Sequence, residues 1–276
     1  MHEILDHLPP QARVLDLGSH TGSFPAEAYR FVTVRVDIET PGPGARALVQ
    51  ADAARLPFRS RTFDAVILNH SIEHFDNLKR ALQEVGRVVK RDGAVFASVP
   101  DATTIGDRVY RKVFRDVGGH VNLFNSPVKL AKMLSWYFGL PPVATRTLCC
   151  SFSFLNRRNT TSRAVRRQMR FRGLPEWLLT LFTGALRSLD RRFQTRASVY
   201  GWAFYFGRVP EPVLPEPYTN VCIRCGQGNP SDCLVEHRIV RKRWKLLDYY
   251  DCPACGAANV YTRDLDLGHL KSVVHT

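Results

Sequence analysis

Short apolar runs, separated by loops and amphipathic stretches, recur through the first hundred residues and leave few folds open. Arg13 to Leu17 (RVLDL), Phe31 to Ile38 (FVTVRVDI), Ala47 to Gln50, Phe63 to Leu68 (FDAVIL) and Ala94 to Val99 (AVFASV) read as strands. A continuous apolar run such as 63–68 is what a strand buried on both faces requires, and such strands pair in parallel beneath covering helices. Leu78 to Val89 carries apolar residues at 78, 81, 82, 85, 88 and 89, the spacing of one helical face. Asp92-Gly93 reads as a turn into the fifth strand. Strands alternating with helices predict an α/β fold with a doubly wound, mostly parallel sheet.

Further along, Ser126-Pro127 predicts a helix start, a hydroxyl cap followed by a first-turn proline, with the helix running to about Phe138. Pro142 to Phe154 and Ser198 to Val209 read as two more strands. Between them lies a basic segment: from Asn156 to Arg196, 11 arginines face only Glu176 and Asp190, a net +9. Its second half places Leu174, Trp177, Leu178, Leu181, Phe182, Ala185, Leu186 and Leu189 on one face of an amphipathic helix, opened by Pro175. Pro210 to Pro217 (PEPVLPEP) reads as a stiff, extended linker. The expected organisation is a domain over 1–209 with a basic helical insertion at 156–197, a linker at 210–217, a cysteine-bearing module at 218–263 and a tail at 264–276.

The strand ends carry the polar residues. The first strand runs into DLGSHTG, Asp16 to Gly22, and glycines at such a position let the backbone approach a ligand closely. Asp37 ends the second strand, where a carboxylate suits the two hydroxyls of a ribose. Asp52 and Ala53 follow the third strand, where a carboxylate can accept from an adenine amine. The fourth strand ends in NHSIEHF, Asn69 to Phe75. The G-x-G-x-x-G spacing of a dinucleotide loop is absent.

This order of motifs resembles the class I S-adenosylmethionine-dependent methyltransferases, in the branch that includes quinone and other small-molecule methyltransferases. The resemblance covers about residues 10–155, with Ser198 to Val209 expected as an antiparallel edge strand. It implies that Asp16, Gly18, Ser19, His20 and Gly22 wrap the amino-acid portion of the cofactor and that Asp37 holds the ribose. It implies further that Asp52 and Ala53 contact the adenine and that Asn69 and His70 line the floor under the methionine. His20 stands where the family's loop has a central glycine. Gly119 to Phe124 (GHVNLF) resembles the G-H-x-x-x-F segment that precedes the helix over the substrate pocket in many relatives.

Methyl transfer from a sulfonium is an in-line displacement that mainly needs alignment and exclusion of water. A general base is required only if the acceptor loses a proton, and histidine is the commonest choice. The candidates are His120 and His70, while His74 reads as structural. No [N/D]-P-P-[Y/F] loop of amino-methylating DNA and protein enzymes follows the fourth strand, and no DNA partner is expected. Cys149 and Cys150 fall inside a strand, as packing residues rather than nucleophiles.

The chain has seven cysteines, an odd number that argues against a disulfide framework. Cys222 and Cys225, then Cys252 and Cys255, form two C-x-x-C pairs, each followed by glycine and separated by 26 residues. Such pairs fit tetrahedral Zn²⁺ held by four thiolates, a closed and therefore structural site. The module resembles a zinc ribbon, with a hairpin expected within Leu234 to Tyr250 and with Cys233 and His237 as substitute ligands.

The net charge of +14 fits an anionic partner such as RNA, an acidic membrane surface or a phosphorylated substrate, and equally a solvated arginine-rich surface. No apolar run approaches the roughly 20 residues that span a bilayer, and Met1 to Pro10 lacks a signal-peptide apolar region. A cytoplasmic protein is expected, with peripheral membrane contact as one use of the charge. Three readings remain open at this stage. The first is a methyltransferase for a small-molecule or lipid-like acceptor, the amphipathic helix serving as a lid or a contact with an anionic membrane. The second is an RNA methyltransferase gripping RNA through the arginine-rich insertion and the ribbon. The third is a non-catalytic scaffold on the same fold.

Overall fold

The computed structural model describes residues 1–19, 22–39, 48–113, 120–150, 152–159, 173–209, 218–243 and 247–262. His20, Gly119, most of the arginine-rich segment (160–172), the proline-rich stretch 210–217, Trp244 and the tail 264–276 lie outside them.

The chain divides into two compact units, one of Met1–Val99, His120–Thr145 and Ala203–Leu214, the other of Pro100–Gly119, Arg146–Trp202 and Pro215–Thr276. One boundary between the units, at Leu214 and Pro215, falls within the expected linker, and the C-terminal cysteine segment shares its unit with 100–119 and 146–202.

The first unit opens with a short helix α1 (His2–Leu5) and strand β1 (Arg13–Leu17), followed by β2 (Val32–Asp37), β3 (Leu48–Gln50), β4 (Phe63–Asn69), helix α2 (Leu78–Val88) and β5 (Val89–Pro100). Helix α4 (Pro127–Phe138) and parts of β6 (Pro142–Cys149) and β7 (Val199–Gly207) complete it. Its strand order is β3-β2-β1-β4-β5-β7-β6. The pairs β1–β2, β1–β4, β2–β3 and β4–β5 are all parallel. The strand at 199–207 is therefore not the expected edge strand, since it is inserted between β5 and β6. Val14, Leu15, Ala65, Val66, Ile67 and Leu68 have no exposed surface, as strands covered on both faces should.

Asn77 caps α2 by accepting from the Arg80 N–H, and Ser126 caps α4 by accepting from the Lys129 N–H. The predicted Asp92-Gly93 turn does not form; β5 runs through it, with an irregular register opposite Phe63 and Ala65. Between β1 and β2 the described residues hold a 3-10 turn, Ala26–Ala28.

In the second unit, α3 (Ile105–Val113) and α5 (Glu176–Phe193) accompany the strand order β7-β6-β8-β9, with β8 at Tyr218–Val221 and β9 at Gly228–Pro230. Tyr218 to Asn220 pair in parallel with Thr147 to Cys149, which draws the C-terminal segment into this unit. A separate antiparallel sheet holds β10 (Val240–Arg243), β11 (Leu247–Asp251) and β12 (Ala258–Val260), so the expected hairpin lies at 240–251. A helix not read from the sequence, α6 (Ser231–Glu236), precedes it. Cys149 and Cys150 are buried with Val199 and Tyr218 as expected of packing residues, and burial pushes the Cys150 thiol up to about 11.

Helix α5 leaves part of its apolar surface outside: Trp177 (64% exposed), Leu181 (60%), Leu189 (44%) and Phe193 (63%) face outward. The inward face holds Leu179, Thr183, Gly184, Leu186, Arg187 and Asp190. A polar network rolls the helix this way. The Asp190 carboxylate, fully buried, accepts from the Ala197 N–H (2.6 Å), the Ser198 N–H (2.9 Å), the Thr195 hydroxyl (2.6 Å) and the Ser198 hydroxyl. Arg187, equally buried, faces it at 3.5 Å. No helix of the described residues is long and apolar enough to cross a membrane.

Removing one partner of a buried ion pair strands the other charge, so Asp190→Ala is expected to cost ~3–5 kcal/mol. Leu181→Ser, on the exposed face, is expected to stay within about 0.5 kcal/mol. Urea unfolding of the full chain followed by circular dichroism measures both, and equal losses at the two positions would place Leu181 inside.

Candidate active site

The first unit gathers the expected cofactor residues along the C-terminal ends of β1 to β4. Asp16 is fully buried in β1. One of its oxygens accepts from the Ser23 N–H at 2.8 Å, and the other, Oδ1, is buried with no hydrogen-bond partner. Burial raises its pKa against the lowering effect of Ser23, Ser19 and Arg35. The Ser19 hydroxyl donates to the Asp16 carbonyl at 3.3 Å. Gly18 (φ +70°) and Gly22 (φ +106°) sit in the left-handed region that side chains rarely adopt. A Cβ on Gly18 would lie 2.7 Å from the Ser71 Cβ, so the loop rests directly on the segment that follows β4.

Asp37 ends β2, and its backbone carbonyl accepts from the Ala51 N–H at 2.9 Å. That bond brings the segment after β3 against the end of β2. Exposed Asp52 there accepts from the Ala54 N–H at 2.8 Å and holds its turn, with Ala53 half-buried between them. Asn69 Oδ1 accepts from the Ser98 hydroxyl at 2.8 Å, which fixes the end of β4. Thus Asp16, Gly18, Ser19, Gly22, Asp37, Asp52, Ala53 and Asn69 lie on one sheet edge of one unit.

The histidine candidates converge on a residue the sequence reading passed over. Glu73 is 1% exposed, in the 3-10 turn Ile72–His74. His70, at φ +52°, brings Nδ1 to 3.5 Å from Glu73 Oε1. One ligand atom each of Glu73, His74 and His120 lies within 4.8 Å of the others, and the two rings meet edge to face at 5.0 Å. The Val121 and Asn122 N–H groups both donate to the Glu73 carbonyl at 2.9 Å, which holds the 120–122 segment against this turn. The trio offers one carboxylate oxygen and two imidazole nitrogens to a proton in transfer or to a cation. His74 therefore belongs to the cluster. The available signal was three histidines and an acid within the NHSIEHF and GHVNLF segments.

Arg35 is a second residue without a role in the sequence reading. It pairs across from Asp16 on β2, and its guanidinium lies 2.7 Å from where a Gly22 Cβ would be. Its Nε–H is buried with no hydrogen-bond partner. A lone arginine amid the valines of VTVRVD was the visible cue.

In the second unit, the four cysteines of the C-x-x-C pairs gather, all sulfurs within 4.8 Å of one another. Cys222 and Cys255 are 3.6 Å apart and Cys225 and Cys252 3.7 Å, and none forms a disulfide. Four sulfurs at about 2.3 Å from a central ion stand about 3.8 Å apart in a tetrahedron. The two knuckles are built alike. Cys222 N–H donates to the Gln227 carbonyl and Gly226 N–H to the Cys222 carbonyl; Cys252, Ala257 and Gly256 repeat the pattern. The Arg224 N–H points at Cys222 Sγ (3.4 Å), as does Asn259 Nδ2 (3.5 Å). Hydrogen bonds from Cys222 and Cys225 pull Cys252 down to about 3. Cys233 and His237 stay outside the cluster.

Comparison with known proteins bears on the first unit. Residues 15–97 match the family described as "Methyltransferase domain". Over 132 residues the chain is 32% identical to a malonyl-[acyl-carrier protein] O-methyltransferase of Methylococcus capsulatus, covering 42% of this chain and 47% of that protein. It is 35% identical over 94 residues to a demethylmenaquinone methyltransferase of Thermobifida fusca, covering 29% and 40%. The chain thus spans about half the length of these relatives or less. A SAM-dependent methyltransferase structure from Archaeoglobus fulgidus aligns with a TM-score of 0.48 at 20% identity, over 72% of this chain and 86% of that one. Residues 15–97 are thus similar to a methyltransferase domain.

Proposed function

We propose that the chain is an S-adenosylmethionine-dependent methyltransferase for a small-molecule or lipid-like acceptor, with a structural zinc ion on Cys222, Cys225, Cys252 and Cys255. One observation carries the first part. Asp16 is buried at the end of β1 beside two left-handed glycines, with one carboxylate oxygen left without a partner among the described residues. A buried acceptor in that state costs free energy that a ligand's donor recovers, and the amino group of an amino-acid moiety is such a donor.

The other residues take roles that follow from their chemistry. Arg35, with an unpartnered buried N–H beside Gly22, suits the carboxylate of the same moiety. Asp37 offers acceptors to a ribose, and Asp52 to an adenine amine. When bound, S-adenosylmethionine supplies an electrophilic methyl on a good leaving group. Glu73, His74 and His120 form the proton sink, with His120 as the base and Glu73 as the buried counter-charge. His70 braces Glu73 from the other side. The names of the two relatives, a malonyl-[acyl-carrier protein] O-methyltransferase and a demethylmenaquinone methyltransferase, support a biosynthetic acceptor.

Calorimetric titration with S-adenosylhomocysteine tests the cofactor site. Wild-type protein is expected to bind, and Asp37→Ala and Arg35→Ala each to weaken binding roughly tenfold or more, the loss of a charge-assisted hydrogen bond. No binding by folded wild-type protein would leave the scaffold reading in its place.

The sulfur spacing supports zinc, and metal analysis of the purified chain is expected to find about one zinc per molecule, released by a thiol reagent. Cys225→Ser is expected to lose the metal and lower the unfolding midpoint. Four reactive thiols in a metal-free protein of unchanged stability would refute the site.

A further inference from the structure

We propose that the exposed face of α5 docks on an anionic lipid surface. The inference stands apart from the methyl-transfer reading, since every residue it uses lies in the second unit.

Soluble helices keep their apolar stripe inside and their charges out. Helix α5 does the reverse on much of its circumference. Asp190, Arg187 and Thr183 are fully buried, while Trp177, Leu181, Leu189 and Phe193 are exposed. Positions 177, 181, 185 and 189 recur at helical spacing, so Ala185 completes a continuous apolar strip. Large exposed apolar strips on a folded protein mark a surface that something covers.

Charge identifies the occupant. The helix has two acids, and neither faces outward. Asp190 is buried, and Glu176 is held by Arg224 (2.6 Å) and Arg158 (3.3 Å). Arg191 and Arg192 are exposed in the last turn, and Arg157 and Arg158 are exposed near the helix start. An apolar strip with a tryptophan, edged among the described residues by arginines and no outward-facing acid of the helix, is the pattern of a helix lying in the headgroup region of an anionic bilayer. A second copy of the chain would set these arginines against their own kind, which costs affinity. Single-stranded RNA is gripped by aromatic rings on which bases stack, and the strip's centre is Leu181, Ala185 and Leu189.

The strip also leads into a cavity. Leu189 and Phe193 line a space of about 400 Å³ together with Ile105, Ala197 and Arg196. Arg196 is anchored by buried Asp101 at 2.9 Å, and its Nε–H is buried with no partner. An apolar wall beside a fixed guanidinium suits an amphiphile with an anionic head arriving from the lipid.

Vesicle flotation of the full-length, zinc-loaded chain tests the proposal. Binding is expected to vesicles of phosphatidylcholine mixed with phosphatidylserine, to fall with added salt, and to be absent with phosphatidylcholine alone. Trp177→Ser with Leu181→Ser is expected to weaken binding roughly tenfold or more. Arg191→Glu with Arg192→Glu is expected to do the same, at about fivefold or more per arginine. Unchanged circular dichroism and S-adenosylhomocysteine binding in both variants show that the fold and the cofactor site survive. Failure of wild-type protein to float with the anionic vesicles overturns the proposal, as does full binding by both variants. A wild-type dimer that the Trp177 and Leu181 changes dissociate, without vesicle binding, would give the face to a second copy. Poly(U) binding lost on arginine reversal, without vesicle binding, would give it to RNA.

Discussion

The Asp190 carboxylate, with four hydrogen-bond donors and the Arg187 guanidinium against it, decides how the second unit is built. A buried charge is tolerated only when its lone pairs are met, and here the 195–198 loop supplies two backbone and two hydroxyl donors. Once Asp190 and Arg187 are inside, the rotation of α5 is set and its leucines at 181 and 189 must face out. The inward face then meets β11 and β12. Gly184 allows the Leu247 side chain to approach, with 3.3 Å to where a Cβ would stand, and the Thr180 hydroxyl donates to the Ala258 carbonyl at 3.3 Å. Folding and surface chemistry are joined in this one interaction, since satisfying an acid inside leaves an apolar strip outside.

Asp16 and Glu73 are buried to the same degree and paired differently. Each has one carboxylate oxygen engaged and one, Asp16 Oδ1 and Glu73 Oε2, without a hydrogen-bond partner. Four donors make Asp190 a structural group. An open acceptor at a strand end makes the other two groups held ready for a ligand, at a standing cost to the folded state. The close approach of Gly18 and Ser71 places the two carboxylates on neighbouring segments, one in the loop after β1 and one beside the histidines. On the proposed reading, a donor site and a proton sink stand side by side, as methyl transfer to an acidic oxygen or nitrogen requires.

Much of the first unit was legible because parallel strands announce themselves. RVLDL, FDAVIL and the 126–138 helix fall within a residue or two of their observed bounds, since continuous burial and capping are local signals. The positions of the carboxylates at 16, 37 and 52, in or just after strands, were legible for the same reason. The cysteine knuckles were legible from spacing alone. What escaped depended on distant partners. The rotation of α5 follows from Ser198 and Thr195, which no helical periodicity can register. Glu73 draws its meaning from His120, 47 positions away in sequence. The parallel pairing of Tyr218 with Thr147 crosses a proline-rich stretch that reads as a boundary. In each case the deciding term was the satisfaction of a buried polar or backbone group by a residue far along the chain.

The same logic ties the sulfur cluster to α5. Arg224, inside the first knuckle, donates to Glu176 at the start of the helix and, at 2.6 Å, to the Cys255 carbonyl of the second knuckle. The Asn156 amide donates to the Ile223 carbonyl, and Asn159 to the Arg224 carbonyl, so the segment leading to the basic insertion is fastened to that knuckle too. Arg224 holds the Glu176 pKa below its ordinary value. Its stabilising share is therefore present above the ordinary glutamate range and lost as pH falls through the depressed value. Thiolate ligands are lost to protonation in the same direction. Acid thus weakens the clamp on the helix, and it acts in the same direction on the proposed zinc site. The cysteine pairs do more than staple a small module. Through one arginine they hold the start of the helix whose outer face carries Leu181 and Leu189.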